Sequence, residues 1–266
     1  AAQTAMPTCS PQGRALVPCG PEVDLGLGVR AEYLLWWTRS MHVPALVTTS
    51  PADTDREEAG VLGQATTEVL SGGSGLNGDA RSGGRFAVDG WFDPCRSLGF
   101  ELGYAFLSQA GSTYAATSDG DPILARPFFN ADTDLEDAGL IAFPSVAEGS
   151  LAIDAATRFG TAEALLVKTL LAGCCQRVAV RLGYRYAELE DELTISEQMT
   201  STEVATAGTT LDLFDRFDAS NTFNGPQLGL IAEQQVGCWS IELLTKLAFG
   251  TVHSEVDIQG STTTTT

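Results

Sequence analysis

The residues best able to do chemistry in this chain are charged side chains at alternate positions, each flanked by apolar neighbours. They are Arg30, Glu32, Arg85, Asp89, Glu101, Asp154, Arg158, Glu163, Arg181, Arg185, Asp218, Glu233, Glu242 and Lys246. The chemistry this pattern suggests is ion pairing in a confined polar space. A solvated face would be rich in lysine, yet Lys168 and Lys246 are the only lysines in 266 residues. The other bases are arginines set among small residues, and the planar guanidinium suits paired, partly desolvated carboxylates. No nucleophile with a base beside it can be nominated, so the expectation is a protein without catalytic residues, without a cofactor and not an enzyme.

Other motifs give little. Gly73-Ser74-Gly75-Leu76-Asn77-Gly78 matches GxGxxG, but Asp79-Ala80-Arg81-Ser82-Gly83-Gly84 follows where a dinucleotide fold needs a helix. His42 and His253 lack an HExxH neighbour or a triad partner, and no GxSxG or Walker loop occurs. Asp53 with Asp55, and Asp132 with Asp134, place oxygen ligands at alternate positions that suit Ca²⁺, though neither run follows the twelve-residue EF loop. A solvated acidic loop is the plainer reading of both. The six cysteines, Cys9, Cys19, Cys95, Cys174, Cys175 and Cys238, form an even set without CxxC spacing, and two histidines give little support to a zinc site. Disulfides in an oxidising compartment are the expectation, with connectivity open.

The elements that would position the charges are strands. Leu25, Leu27, Val29, Ala31, Tyr33, Leu35 and Trp37 alternate with Gly26, Gly28, Arg30 and Glu32. The same period-two pattern recurs in Leu98–Phe106, Val178–Tyr186 and Trp239–Phe249. Weaker strands are expected at Phe86–Phe92, Leu151–Leu166 and Phe217–Gln235. The second of these shows a phase slip near Gly160, where a bulge is expected. That makes seven strands, antiparallel if joined in order. The connections Asp93–Arg96, Ala172–Gln176 and Val236–Cys238 are short. Those over Val43–Arg81, Gln109–Gly149, Ser196–Leu213 and from Ser254 onward are long and polar.

Short turns at one end and long loops at the other are the mark of an outer-membrane barrel. The expected fold is all-β: an antiparallel up-and-down transmembrane β-barrel with seven strands visible and eight to ten when complete. Its apolar face would meet lipid, with Tyr33, Trp37, Phe92, Tyr104, Phe106, Tyr184, Tyr186, Trp239 and Phe249 as interfacial girdles. The charged face would fill a narrow lumen. Residues 1–24 would form a periplasmic N-terminal segment, 25–258 the barrel, and 259–266 a Thr-rich loop in a chain read as incomplete. All six cysteines would converge on the periplasmic rim as a covalent brace.

The run Ala31-Glu32-Tyr33-Leu34-Leu35-Trp36-Trp37 resembles the first-strand signature of an outer-membrane β-barrel family abundant in planctomycete bacteria. The similarity continues through Gly60-Val61-Leu62-Gly63, Gly83-Gly84-Arg85-Phe86, Gly90-Trp91-Phe92 and Asn224-Gly225-Pro226-Gln227-Leu228-Gly229, and so covers about residues 25–235. The resemblance implies secretion, insertion in the bacterial outer membrane, no known enzymatic activity, and closing strands beyond Thr266.

Thirty-four acids against fifteen bases give a formal charge of −19, which argues against nucleic acid as a partner. The expected partners are the lipid bilayer and lipopolysaccharide, envelope or surface-layer proteins reached through the long loops, and a further copy in an oligomer. Three functions fit: a structural or surface-display barrel, a small diffusion pore, and a soluble lipocalin-like ligand-binding barrel. A barrel of about eight strands is filled by side chains, which favours the first.

Overall fold

A computed structural model describes residues 26–173, 175–236 and 239–266. In chain order the strands are β1 Gly28–Trp37, β2 Met41–His42, β3 Ala45–Ser50, β4 Glu68–Gly72, β5 Gly75–Leu76, β6 Ala80–Trp91, β7 Leu98–Ser118, β8 Ile123–Asn130, β9 Leu135–Ala142, β10 Ala147–Ala172, β11 Gln176–Ser201, β12 Thr210–Val236, β13 Trp239–Ala248 and β14 Thr251–Thr265. Every pairing is antiparallel, and the described residues contain no helix.

The wall is one sheet in the order β1-β6-β7-β10-β11-β12, with β13 and β14 lying end to end along β12 as its seventh position. It curls into a half-barrel. Lys246 on β13 bonds Glu101 on β7, four positions away, where a flat sheet would separate the strands by roughly 19 Å. Glycines on the concave side permit the curl: a Cβ on Gly83 would collide with the Phe106 carbonyl oxygen, and one on Gly183 with that of Ala164.

Three expectations are corrected by the structure. First, the long connections are not simple loops. The chain between β1 and β6 and between β7 and β10 folds into a second, four-stranded sheet, β4-β3-β8-β9, with β2 and β5 paired beside it. We call this unit the cap. Its Leu46, Val47, Leu124 and Ile141 form one buried cluster with Leu151, Ile153 and Ile195 of the wall, and Tyr114 and Phe217 pack against that cluster. Second, residues 259–266 are not a Thr-rich loop, because β14 pairs with β12 up to Thr265.

Third, the bulge is in β7 rather than at Gly160. β10 runs in unbroken register with β11 from Ala147 to Thr169, whereas β7 places Leu107 opposite Phe159 and Ala110 opposite Thr157. One extra residue there inverts the phase of β7, so Glu101, Ala105 and Leu107 face the concave side before it, and Tyr114 and Ala116 face that side after it.

Register shows why β10 and β12 looked irregular in sequence and why β11 reads cleanly only over Val178–Tyr186. Each is 26 or 27 residues long, roughly 85 Å along its own direction, where about 9–11 residues cross a bilayer. Along this length the two faces exchange polarity. Toward the short turns the convex side carries Leu166, Leu182, Leu228 and Leu243, and the concave side the charges. Toward the cap the concave side carries Leu151, Leu193, Ile195 and Phe217, and the convex side Asp154, Glu190, Glu192 and Asp218. What reads as a phase slip is a change in what each face meets.

Candidate functional site

The concave face near the short turns gathers most of the charged residues singled out in the sequence. Glu101 on β7 is its hub at 2% exposure, accepting from Lys246 Nζ at 3.0 Å, Arg181 Nη2 at 3.0 Å and Arg30 Nη2 at 3.4 Å. These donors come from β13, β11 and β1, so one carboxylate ties both edges of the sheet to its middle. Glu163 on β10 is the second hub. It accepts from Lys246 and from Gln227 Nε2 at 2.8 Å and forms an ion pair with Arg85 at 3.9 Å, with Arg185 close enough to act on its charge. Arg85 also meets Glu32 at 3.6 Å, and Arg30 meets Asp89 at 3.9 Å. Glu233 and Glu242 lie opposite each other on β12 and β13, and Glu233 is paired by Arg177 at 3.2 Å.

Arg158, Asp154 and Asp218 do not belong to this set. Each sits at a convex position, since directly opposed residues share a face. Arg158 opposes Glu190, at 3.9 Å, while Asp154 opposes Thr194, and Asp218 meets Arg216 at 2.8 Å on the same outer side. The sequence reading placed them inward by carrying the apolar-outward rule beyond the level at which the faces exchange.

Several participants were not legible as such. Arg177 continues the alternation of β11 by one step, balances Glu233, and lies 4.7 Å from the Trp91 ring centroid as a cation–π contact. With it, the concave set holds Arg30, Arg85, Arg177, Arg181, Arg185 and Lys246 against Glu32, Asp89, Glu101, Glu163, Glu233 and Glu242. The two signs balance.

Above this layer a polar crossbar marks the level at which polarity changes. The buried Arg81 guanidinium donates to Ser108 O at 2.8 and 3.0 Å and to Thr157 O at 3.0 Å, satisfying carbonyls at the β7 bulge. Thr157 Oγ1 donates to Asp191 at 2.6 Å and accepts from Asn77 of the cap at 3.2 Å. Higher still, Arg126 of β8 pins the cap to the wall through Glu197 at 2.9 Å and Asp215 at 2.5 Å. Burial alone would lower the Arg126 pKa, but hydrogen bonds to Asp215 and Glu197 outweigh it and hold the guanidinium above its ordinary value.

The remaining candidates are dispersed. Asp53 and Asp55 lie in turns after β3, Asp132 and Asp134 in the β8–β9 turn, and no three potential metal ligands converge among the described residues. His42 is in β2 and His253 in β14. Cys95 follows β6 and Cys175 precedes β11, both in short turns and both disulfide-bonded. Cys9, Cys19, Cys174 and Cys238 lie outside the described residues, as does the segment 1–24.

Ion pairs joined across a curled sheet, largely buried at Glu101, Arg181, Glu163 and Lys246 and part-exposed at Arg30, Glu32, Arg85 and Asp89, make the concave face polar. On the other side of the same strands, Val29, Tyr33, Leu102, Leu182, Leu243 and Leu247 form an apolar belt, each about half exposed or more. No curated protein and no solved structure gives a match to the chain. A family model does, over residues 29–266, which takes in every wall strand and the whole cap. By that match the chain belongs to the family described as Putative beta barrel porin-7 (BBP7).

Proposed function

We propose that this protein is a bacterial outer-membrane barrel with a structural or surface-display role, its bore filled by side chains and its cap held outside the bilayer. The observation that carries the reading is the continuous apolar belt on the convex face of all seven wall positions. A water-soluble monomer rarely exposes more than a few hundred Å² of contiguous apolar surface, whereas a lipid-facing wall requires it. The balanced ion pairs behind the belt, most buried where they meet Glu101 and Glu163, favour a filled interior over a wide channel. Lipid and lipopolysaccharide would contact the wall, and envelope or surface-layer proteins the cap. The first-strand resemblance to planctomycete barrels supports the same location.

The cysteines fit this reading as a brace at the periplasmic end. Cys95 and Cys175 sit in short turns two strands apart, and bridges that close long loops contribute about 2–4 kcal/mol each by restricting the unfolded chain. We read the protein as non-enzymatic.

The test is purification of the full chain followed by planar-bilayer recording. The reading expects extraction only with detergent, a heat-modifiable mobility on gels, and no resolved conductance. Solubility in buffer would overturn the membrane assignment. Large, regular conductance steps would replace the structural role with that of a diffusion pore.

A further inference from the structure

The cap leaves part of the bore uncovered. Val252, Val256 and Ile258 project from the concave side of β14, opposite Phe223, Ala219 and Phe217, yet they are 63%, 63% and 67% exposed. At this level nothing among the described residues crosses from the cap to β14. The crossing occurs lower, at Lys246. Among the described residues its ammonium alone joins the last wall position to both carboxylate hubs, Glu101 on β7 and Glu163 on β10. Cavities lie on either side of this bridge. One, of about 220 Å³, is bounded by Glu101 and Arg181 on the short-turn side. The other, of about 140 Å³, is bounded by Glu163, Arg85 and Lys246 itself.

We propose that Lys246 is the lock that keeps the bore closed to small inorganic ions, and that the two cavities are halves of one narrow path which it interrupts. The inference rests on the closed-barrel reading above and adds the residue that closes it. The side chain suits the task. Arg30 and Arg85 each spread two guanidinium nitrogens over two carboxylates, whereas a lysine ammonium is a point charge on a flexible stem that a pair of carboxylates can capture. The sign of the open state follows from the charge balance. The concave set is neutral with Lys246 present, so removing its charge leaves a net negative layer with Glu101 and Glu163 at the gap. Cations should pass in preference to anions.

The experiment is single-channel recording on the full-length protein in planar bilayers under a KCl gradient, comparing wild type with Lys246→Met. Methionine keeps the length of the stem and loses the charge. Lys246→Gln serves as a second variant, since its amide can still meet one carboxylate if the methionine form does not fold. Lys168→Met is the control, because the other lysine sits on the convex face opposite Leu98 and Val180. Folding is read in every case from heat-modifiable mobility. The expected result is silence for wild type and Lys168→Met, and resolved steps for a Lys246 variant with a reversal potential shifted toward that of potassium. Folded Lys246 variants that stay silent, or that prefer chloride, overturn the lock while leaving the closed-barrel reading intact. A wild type that conducts as the variants do overturns both.

Discussion

At the scale of single residues, two side chains outside the wall carry separable predictions. Arg126 is the ionic tie between cap and wall, and its partner Glu197 is 5% exposed. Removing one partner of a buried pair leaves a charge without compensation, so Arg126→Met should loosen the cap by about 2–3 kcal/mol, below the full buried-pair cost because the arginine is partly solvated. Limited proteolysis should then cut within residues 119–146 while the wall keeps its heat-modifiable mobility; equal resistance in both proteins would show that the apolar cluster alone seats the cap. Asp93 answers to pH. Hydrogen bonds from the backbone N–H of Ser97, and then from that of Leu98, hold its carboxyl below the usual range. A depressed folded pKa means the turn's stabilisation is present above the unfolded value near ~3.9 and is lost as pH falls through the folded one. The protection of the Ser97 and Leu98 amides from exchange, taken relative to their intrinsic rates, should therefore fall selectively in acid, and in Asp93→Ala it should be low at neutral pH as well.

At the scale of elements, strand identity was legible where one face kept one partner throughout. β1, β11 near the short turns and β13 alternate cleanly because their outer residues are uniformly apolar. Period two was harder to follow in β10 and β12, whose apolar residues change face partway along. Leu151 and Ile153 point inward to the cap, and Leu166 points outward, without any break in the backbone of β10 against β11. No sequence signal announced the cap, since its strands are short and its core is shared with the wall. The bulge in β7 was misplaced to Gly160 for the same reason: the glycine lies on the convex side with no neighbour crowding its missing Cβ, while the inserted residue is an ordinary Ser108 or Gln109. Deleting Gln109 tests this assignment. Without the extra residue, Ser108 would stand alone opposite Arg158, Leu107 and Ala110 would keep their partners Phe159 and Thr157, and Tyr114 and Ala116 would still face the cap. The variant should keep both cap protection against protease and β6–β7 pairing near Glu101; loss of cap protection would mean that the inserted residue does not lie at Ser108–Gln109.

At the scale of the whole molecule, the placement of the charges was legible only as far as the belt extends. Arg30, Glu101, Arg181 and Lys246 were correctly aligned to one face because their apolar neighbours all turn the other way. Asp154, Arg158 and Asp218 were not, because they stand on the part of the wall above the belt, where polar residues face out. The curl that brings Lys246 to Glu101 could not be read from any one strand. It also constrains how the sheet could close: β1 and β13 run in the same sense, so joining those edges directly would make a parallel ladder, and antiparallel closure takes an odd number of further strands. The exchange of polarity fixes the depth at which the wall should sit. An environment-sensitive fluorescent amino acid introduced at Leu102 or Leu243, on the convex side within the belt, should report an apolar environment and be quenched by brominated lipid chains. The same probe at Thr113 or Thr194, on the convex side beyond the β7 bulge, should report water and respond only to a soluble quencher. The pairs share a face and differ only in height, so a lipid signal at all four sites would place the bilayer across the whole wall and contradict the projecting upper half, whereas water at all four would remove the membrane from the account.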